Sequence, residues 1–198
     1  MKKLFLAPLL LMSSYFFSSC NSNNSGMQSI ADTASTSIDT AKSMDSLKNN
    51  AGTTMIDQKA KDFINDVATG GMMEVELGHM ATQKANSQRV KDFGKMMVDD
   101  HTKVNDNLKN ICAQKNIDLP ASITPDQRKD IDKLSKKSGS AFDKDYVNMM
   151  VDDHKKDIDA FKKAEMDVND NDLKNFITNT LPILQKHLDS IQAIKAAM

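Results

Sequence analysis

Three observations predict an all-α fold: an antiparallel four-helix bundle with a short extra helix in the connection between its two hairpins. The 198 residues include only 7 Gly, 4 Pro, 2 Tyr and no Trp, too few turn formers and aromatics for a β-sandwich. Four segments of roughly 25 residues each carry one apolar stripe at steps of three and four. Finally, Met96-Met97-Val98-Asp99-Asp100-His101 recurs letter for letter as Met149-Met150-Val151-Asp152-Asp153-His154, so two of those helices are expected to do the same job.

The chain begins with a segment that is not part of the bundle. Residues 1–19 read as a signal peptide: Lys2 and Lys3 precede an apolar run from Leu4 to Phe17 that is too short for a membrane span. The run ends in Phe17-Ser18-Ser19-Cys20, which resembles a bacterial lipobox with Phe where Leu is usual. On that reading Cys20 is lipidated and the mature protein is a membrane-anchored lipoprotein of the cell envelope, facing the periplasm or the outer-membrane surface. The competing expectation is plain secretion. Residues 20–54 are rich in Asn, Ser, Thr and Asp, too polar to bury a core, and read as a flexible tether. The bundle occupies 55–198. Its one cysteine, Cys112, follows Ile111 in a helical pattern and reads as a small buried apolar residue. The formal charge of -1 offers no basic surface, so nucleic acid is not an expected partner.

Each helix follows from its own pattern. The first, about Ile56 to Ala85, is striped by Phe63, Val67, Gly70, Glu74, Leu77 and Ala81. Asn86-Ser87 breaks it and supplies a cap for the second, Gln88 to Gln114, striped by Val90, Phe93, Met97, Val104, Leu108 and Ile111. A connection containing Pro120 follows. Thr124-Pro125 then starts a short helix to about Lys137, since Pro suits the first helical position. Ser138-Gly139-Ser140 ends it. The next long helix, Ala141 to Met166, is striped by Tyr146, Met150, Phe161 and Ala164. After the turn at Asn169-Asp170-Asn171, the last runs to about Ala197, striped by Leu173, Phe176, Leu184, Ile191 and Ile194, and Pro182 inside it is expected to bend it. Short turns make two hairpins. The connection between them is long enough to cross either the end or the length of the bundle.

At about 100° per residue, each long helix points one potential metal ligand inward: Glu74, His101, His154 and His187. Gly70, Gly71, Gly78 and Ala81 are expected to leave room around the Glu74 carboxylate. Asp157 also falls on the core face, where the first copy of the repeat has Val104, while Asp100 and Asp153 flank their stripes. These three are expected to stand behind the ligands. Counting from the turns puts the four ligands in one layer roughly 8 Å thick if the hairpins align turn to turn. A buried carboxylate needs a partner, and imidazole with carboxylate is a usual donor set for Zn, Fe, Mn or Cu, so one transition metal ion is expected. The rival reading is a buried polar network of Glu74, Asp157 and the histidines that binds nothing. Met97 and Met150, four before the histidines, could add thioethers for Cu(I), but methionine at helical spacing is first a core filler. Glu76 and His79 have the Glu-x-x-His spacing, yet Glu76 lies roughly 160° from Glu74 on the wheel and both read as surface.

The stretches Gly71 to Gly78, Met97 to His101, Phe142 to Tyr146, Met150 to His154 and Leu181 to Leu188 together resemble the bacterial domain of unknown function 4142 family, over residues 58–194. The resemblance implies an exported, ferritin-like four-helix bundle and no established activity. Paired inward Glu-x-x-His motifs of a di-iron centre are missing. Three functions follow as expectations: metal binding for sequestration, sensing or stress protection; a structural or protein-interaction module of the envelope; and, least supported, a redox enzyme on the same ligands, with enzymatic activity the lesser expectation.

Overall fold

The computed structural model describes residues 56–198, and the expected signal peptide, Cys20 and the tether lie outside that range. The described residues form five helices and no strand: α1 (Gln58–Lys84), α2 (Gln88–Gln114), α3 (Pro125–Ser135), α4 (Gly139–Asp167) and α5 (Asn171–Ala196). Every helix expected from the sequence is present, with ends within three residues of the expected ones. None of them is long and apolar enough to cross a membrane.

Local chemistry sets the boundaries. Asp57 caps α1 by accepting from the Ala60 amide at 2.8 Å. Thr124 and Gln127 form a reciprocal capping box on α3, with Pro125 at the first position. Asp170 accepts from the Asp172 and Leu173 amides, each at 3.1 Å, to start α5. α2 stops where Asn116 turns left-handed (φ 54°), which lets the Ile117 amide donate back to Cys112 O at 2.9 Å and the Asn116 amide to Ala113 O at 3.3 Å. α5 continues unbroken through Pro182.

Side chains at the helix ends fix the topology. Lys59 of α1 reaches Asp167 of α4 at 3.5 Å, and Lys115 beyond α2 reaches Asp170 and Asp172 at 2.7 and 2.6 Å. At the other end, Asp143 of α4 accepts from the Asn86 and Ser87 amides at 2.9 and 2.8 Å. The turn after α1 and the turn after α4 are therefore at opposite ends of the bundle. The long connection runs the length of it, with α3 lying against α1 and α4. Arg128 holds α3 to Glu76 of α1 through two bonds of 2.6 and 3.0 Å, and Lys84 donates to Ser135 O. α2 and α4, the helices that carry the repeat, run parallel at diagonal corners.

The hairpins therefore do not align turn to turn, the condition under which counting from the turns gave a single layer. The four inward residues nonetheless share one layer, because each lies within four residues of its helix midpoint, about 6 Å along the axis. That layer sits between two aromatic clusters. On one side Phe142 stacks on Tyr146 (5.6 Å), and Phe93 meets Tyr146 edge-on (6.2 Å). On the other, Phe161 packs on Phe63 (5.0 Å) and Phe176 (6.0 Å). Cys112 is buried, as expected.

The glycine reading needs correction. α1 and α2 approach so closely that a Cβ on Gly78 would come 2.7 Å from Gly94 O, and one on Gly94 would come 2.8 Å from Gly78 O. A Cβ on Gly71 would run into the Asn105 side chain. Two of the three α1 glycines admit helix α2 rather than leave room for a carboxylate. Only at Gly70 is the space open.

Candidate metal centre

Each of the four inward residues is buried, from 5% exposure at Glu74 to 0% at His154 and His187. The imidazole centroids of His101, His154 and His187 lie 5.2–5.8 Å apart, and one ring nitrogen from each falls within 4.8 Å of the others. Glu74 joins them: its Oε2 is 2.9 Å from His101 Nδ1, and its Oε1 is 3.7 Å from His154 Nε2.

Hydrogen bonds assign the ring protons. His154 Nδ1 donates to Met150 O at 2.9 Å, one helical turn back, so in the neutral ring Nε2 keeps a lone pair. His187 Nε2 donates to Asp100 Oδ2 at 3.1 Å, which leaves the lone pair on Nδ1. Those two lone-pair nitrogens, His154 Nε2 and His187 Nδ1, are 3.3 Å apart. The distance is that of a hydrogen bond, but neither nitrogen has a proton to give. An ionised Glu74 likewise holds the His101 proton on Nδ1, and His101 Nε2 has no partner among the described residues.

Burial pushes all three imidazoles down to about 4, so they are neutral at physiological pH. The carboxylates divide. Asp100 is half-buried, and the His187 bond with the Lys186 charge holds it below the usual carboxylate range against the desolvation. Lys186 and Lys103 stand 3.4 and 3.7 Å from it. Glu74 and Asp157 meet carboxyl to carboxyl in the interior. Burial first, then the nearby Asp153 charge, raises Glu74 to about 7 against the hydrogen bond from Asp157. Burial with the charges of Glu74 and Asp153 raises Asp157 to about 8. Two carboxyls in that contact share one proton, since both cannot ionise side by side. Asp153 is raised to about 6 by burial and by Asp152 and Asp130. It makes no hydrogen bond to an imidazole.

The arrangement is a cluster of neutral nitrogen donors, two of them oriented by a backbone carbonyl or a carboxylate on the far ring nitrogen. Histidines that bind metals are commonly held this way. The donors and their spacing are compatible with a transition metal ion.

The family model described as "Domain of unknown function (DUF4142)" matches residues 45–194. The chain belongs to this family. Solved structures with a similar fold include CopM in the Cu(I)-bound form, with TM-score 0.60 and 14% identity, covering 69% of this chain and 95% of that one. CopM in the Ag-bound form gives TM-score 0.58 and 13% identity over the same shares. At these identities the likeness shows the helical bundle fold. No curated protein matches the chain.

In this member of the DUF4142 family, the residues expected to stand behind the ligands take three different positions. Asp100 orients His187, Asp157 touches Glu74, and Asp153 faces α3 without touching the cluster. Glu76 and His79 are outside it, as expected: Glu76 pairs with Arg128, and His79 is exposed. Sequence reasoning missed Asp143, whose buried carboxylate joins α4 to the start of α2. Its position three before Tyr146, on the same face, was the available signal. Phe93 was expected only as core, yet its edge also closes over His154 and His187, at 6.4 Å from each ring.

Proposed function

We propose that this chain binds one transition metal ion through His101, His154 and His187, with Glu74 as the adjacent carboxylate. One observation carries the proposal. His154 Nε2 and His187 Nδ1 present lone pairs to each other at 3.3 Å, a contact that repels unless a cation lies between them. Two nitrogens on one ion at about 2.0–2.1 Å in tetrahedral geometry stand about 3.3 Å apart. Among Fe, Mn, Zn and Cu, we place Cu(I) first. The interior around the imidazoles carries about one negative charge, because Glu74 and Asp157 share a proton, and a monovalent ion balances it without burying excess charge. The similar-fold CopM structures hold Cu(I) and Ag, which supports the same choice.

The role that fits is sequestration or buffering of the ion rather than catalysis. The cavity beside the cluster, about 70 Å³, has room for a few waters and for no organic substrate. We place this activity in the cell envelope, on a lipoprotein anchored to the membrane at Cys20. The support is the lipobox-like Phe17-Ser18-Ser19-Cys20 after a short apolar run. Replacement of Cys20 by Ala is expected to release the protein from the membrane fraction or to block its processing.

Titration of protein made without a His tag tests the site. Cu(I), Ag(I) and Zn(II) are added separately under anaerobic conditions. One equivalent of Cu(I) is expected to bind and to raise the melting temperature, with ~4 kcal/mol of added stability at a thousandfold excess over Kd. His187→Ala is expected to abolish both effects. If no ion binds and none shifts the melting curve, the cluster is a buried polar network that keeps an extra proton between His154 and His187.

A further inference from the structure

The three imidazoles are closed off on most sides. Phe93 and Tyr146 cover one end of the cluster. On the α2–α5 side, Asp100 is engaged by His187, and Lys186 and Lys103 put positive charge over it. The α1–α4 side differs. There a cavity of about 70 Å³ is lined at its inner end by Glu74, His101 and Asp157, and at its outer end by Asp66 and Ala160, which are exposed. It shares Phe63, Asp66 and Ala160 with a groove of about 260 Å³ that follows the same two helices outward to Lys59 and Asp167. Asp66, Gly70 and Glu74 stand at steps of four on α1, a line of about 12 Å down one side of the helix. A Cβ added at Gly70 would meet nothing within 4 Å, so the middle of that line is open.

We propose that this α1–α4 channel is the route by which the cation reaches the imidazoles, with Asp66 at its mouth, Gly70 keeping it open and the Glu74–Asp157 carboxyls drawing the ion inward. The proposal rests on the metal-binding reading above. The outer groove carries Lys59 and Lys163 beside Asp62, Asp66 and Asp167, with Lys59 paired to Asp167. The inner cavity is lined by the carboxylates of Asp66, Glu74 and Asp157 and by no lysine, so a cation is drawn inward from Asp66 onward. On the α2–α5 side two lysines flank the one carboxylate. The cavity holds a few waters, so the passage admits an ion with a small or exchangeable shell and excludes bulky chelates. Asp66 makes no contact with the imidazoles; its role is in the rate of loading and not in the affinity.

The test compares rates with affinity. Cu(I) is offered to the parent and to Gly70→Leu, and loading is followed by stopped flow through the absorbance of a chromophoric Cu(I) chelator. Gly70→Leu is expected to slow loading at least tenfold and release by the same factor, leaving Kd unchanged. Asp66→Lys, at an exposed position where folding is not at stake, is expected to slow loading several-fold at low ionic strength. That difference should vanish in high salt. Asp106→Lys makes the same charge change on the far face of α2 and is expected to have no effect on the rate. Parental rates in both Gly70→Leu and Asp66→Lys would overturn the route while leaving the metal site standing. A fall in affinity instead of in both rates would mean that Gly70 supports the site rather than its access, and would also overturn it. Failure of the parent to bind any ion would overturn the site and the route together.

Discussion

The two copies of Met-Met-Val-Asp-Asp-His have nearly the same burial and very different surroundings. Met97 and Met150 are fully buried, Met96 and Met149 half-buried, Asp99 and Asp152 exposed, His101 and His154 buried. The polar contacts do not repeat. His101 of the first copy leans on the Glu74 carboxylate, while His154 of the second donates to its own helix at Met150 O and turns a lone pair on His187. Asp100 is ionised, bonded to His187 and flanked by two lysines. Asp153, the same letter in the second copy, lies under α3 near Asp130, and burial raises it to about 6. Three residues past each histidine, the first copy has Val104 and the second has Asp157. Helical period decides which residues face inward, and residues on other helices decide their protonation state.

The largest difference between the copies should appear when each histidine is removed from the metal-free protein. His101→Ala leaves Glu74 Oε2 buried without its nitrogen partner, and breaking a buried pair costs ~3–5 kcal/mol. His154→Ala leaves a small cavity but also ends the lone-pair contact with His187. Its expected cost is smaller, about 1–3 kcal/mol. Urea unfolding in the presence of a chelator measures both. Equal costs would mean that the two imidazoles serve the same structural purpose and that the protonation assignment is wrong.

Replacing Asp157 with Val makes the second copy like the first. Removing a poorly compensated buried carboxyl should stabilise the metal-free protein by ~1–4 kcal/mol at pH 8. The pH dependence supplies the sign. Glu74 and Asp157 have folded pKa values raised to about 7 and about 8. Their stability contribution is therefore whole at low pH and lost as pH rises through those values. The histidines, lowered to about 4, do the opposite: their contribution is whole above about 6.5 and lost as pH falls through 4. The two trends oppose each other between pH 4 and 6.5. Above that only the carboxyls still titrate, so the melting temperature of the metal-free protein should fall from pH 6.5 to 8. Asp157→Val should flatten that slope, and a slope left intact would show that the shared proton belongs elsewhere.

Much of this site was legible in the sequence, for a physical reason. The stripe period is set by backbone geometry, so Glu74, His101, His154 and His187 could be placed inward before any packing was known. Their common level was counted on a turn-to-turn alignment that the bundle does not have, and it holds because all four lie near helix midpoints. The path of the connection could not be read, since Lys115 to Ser138 is long enough for either course and its anchors, Arg128 to Glu76 and Lys84 to Ser135, are ordinary surface residues by pattern. Asp143 was missed because a buried carboxylate satisfied by amides from another hairpin looks, in sequence, like any polar residue near the start of a helix. The glycines misled because Gly78 allows close approach of a helix that the sequence does not locate.

The smallest effect separates the two aspartates that end the shared Val-Asp-Asp. Asp100→Asn keeps the size of the side chain and an acceptor oxygen for His187 Nε2, but removes the charge that fixes the imidazole tautomer. Loss of such a partner behind a ligand typically lowers metal affinity 10- to 100-fold, while the fold should change by less than ~1 kcal/mol because the amide keeps the acceptor for His187 and the exposed lysines return to solvent. Asp153→Asn removes a charge that touches no imidazole, so affinity should stay within about twofold. The protein should become slightly more stable above pH 6, where the parent must ionise a buried carboxyl. Competition for Cu(I) against a chelator of known affinity reads both variants on one scale. Equal losses of affinity would show that the two copies act alike after all, through the summed charge around the cluster. A loss confined to Asp100→Asn would show that the repeat supplies two similar helices and that only one of its aspartates was placed, by α5, where it can hold a ligand.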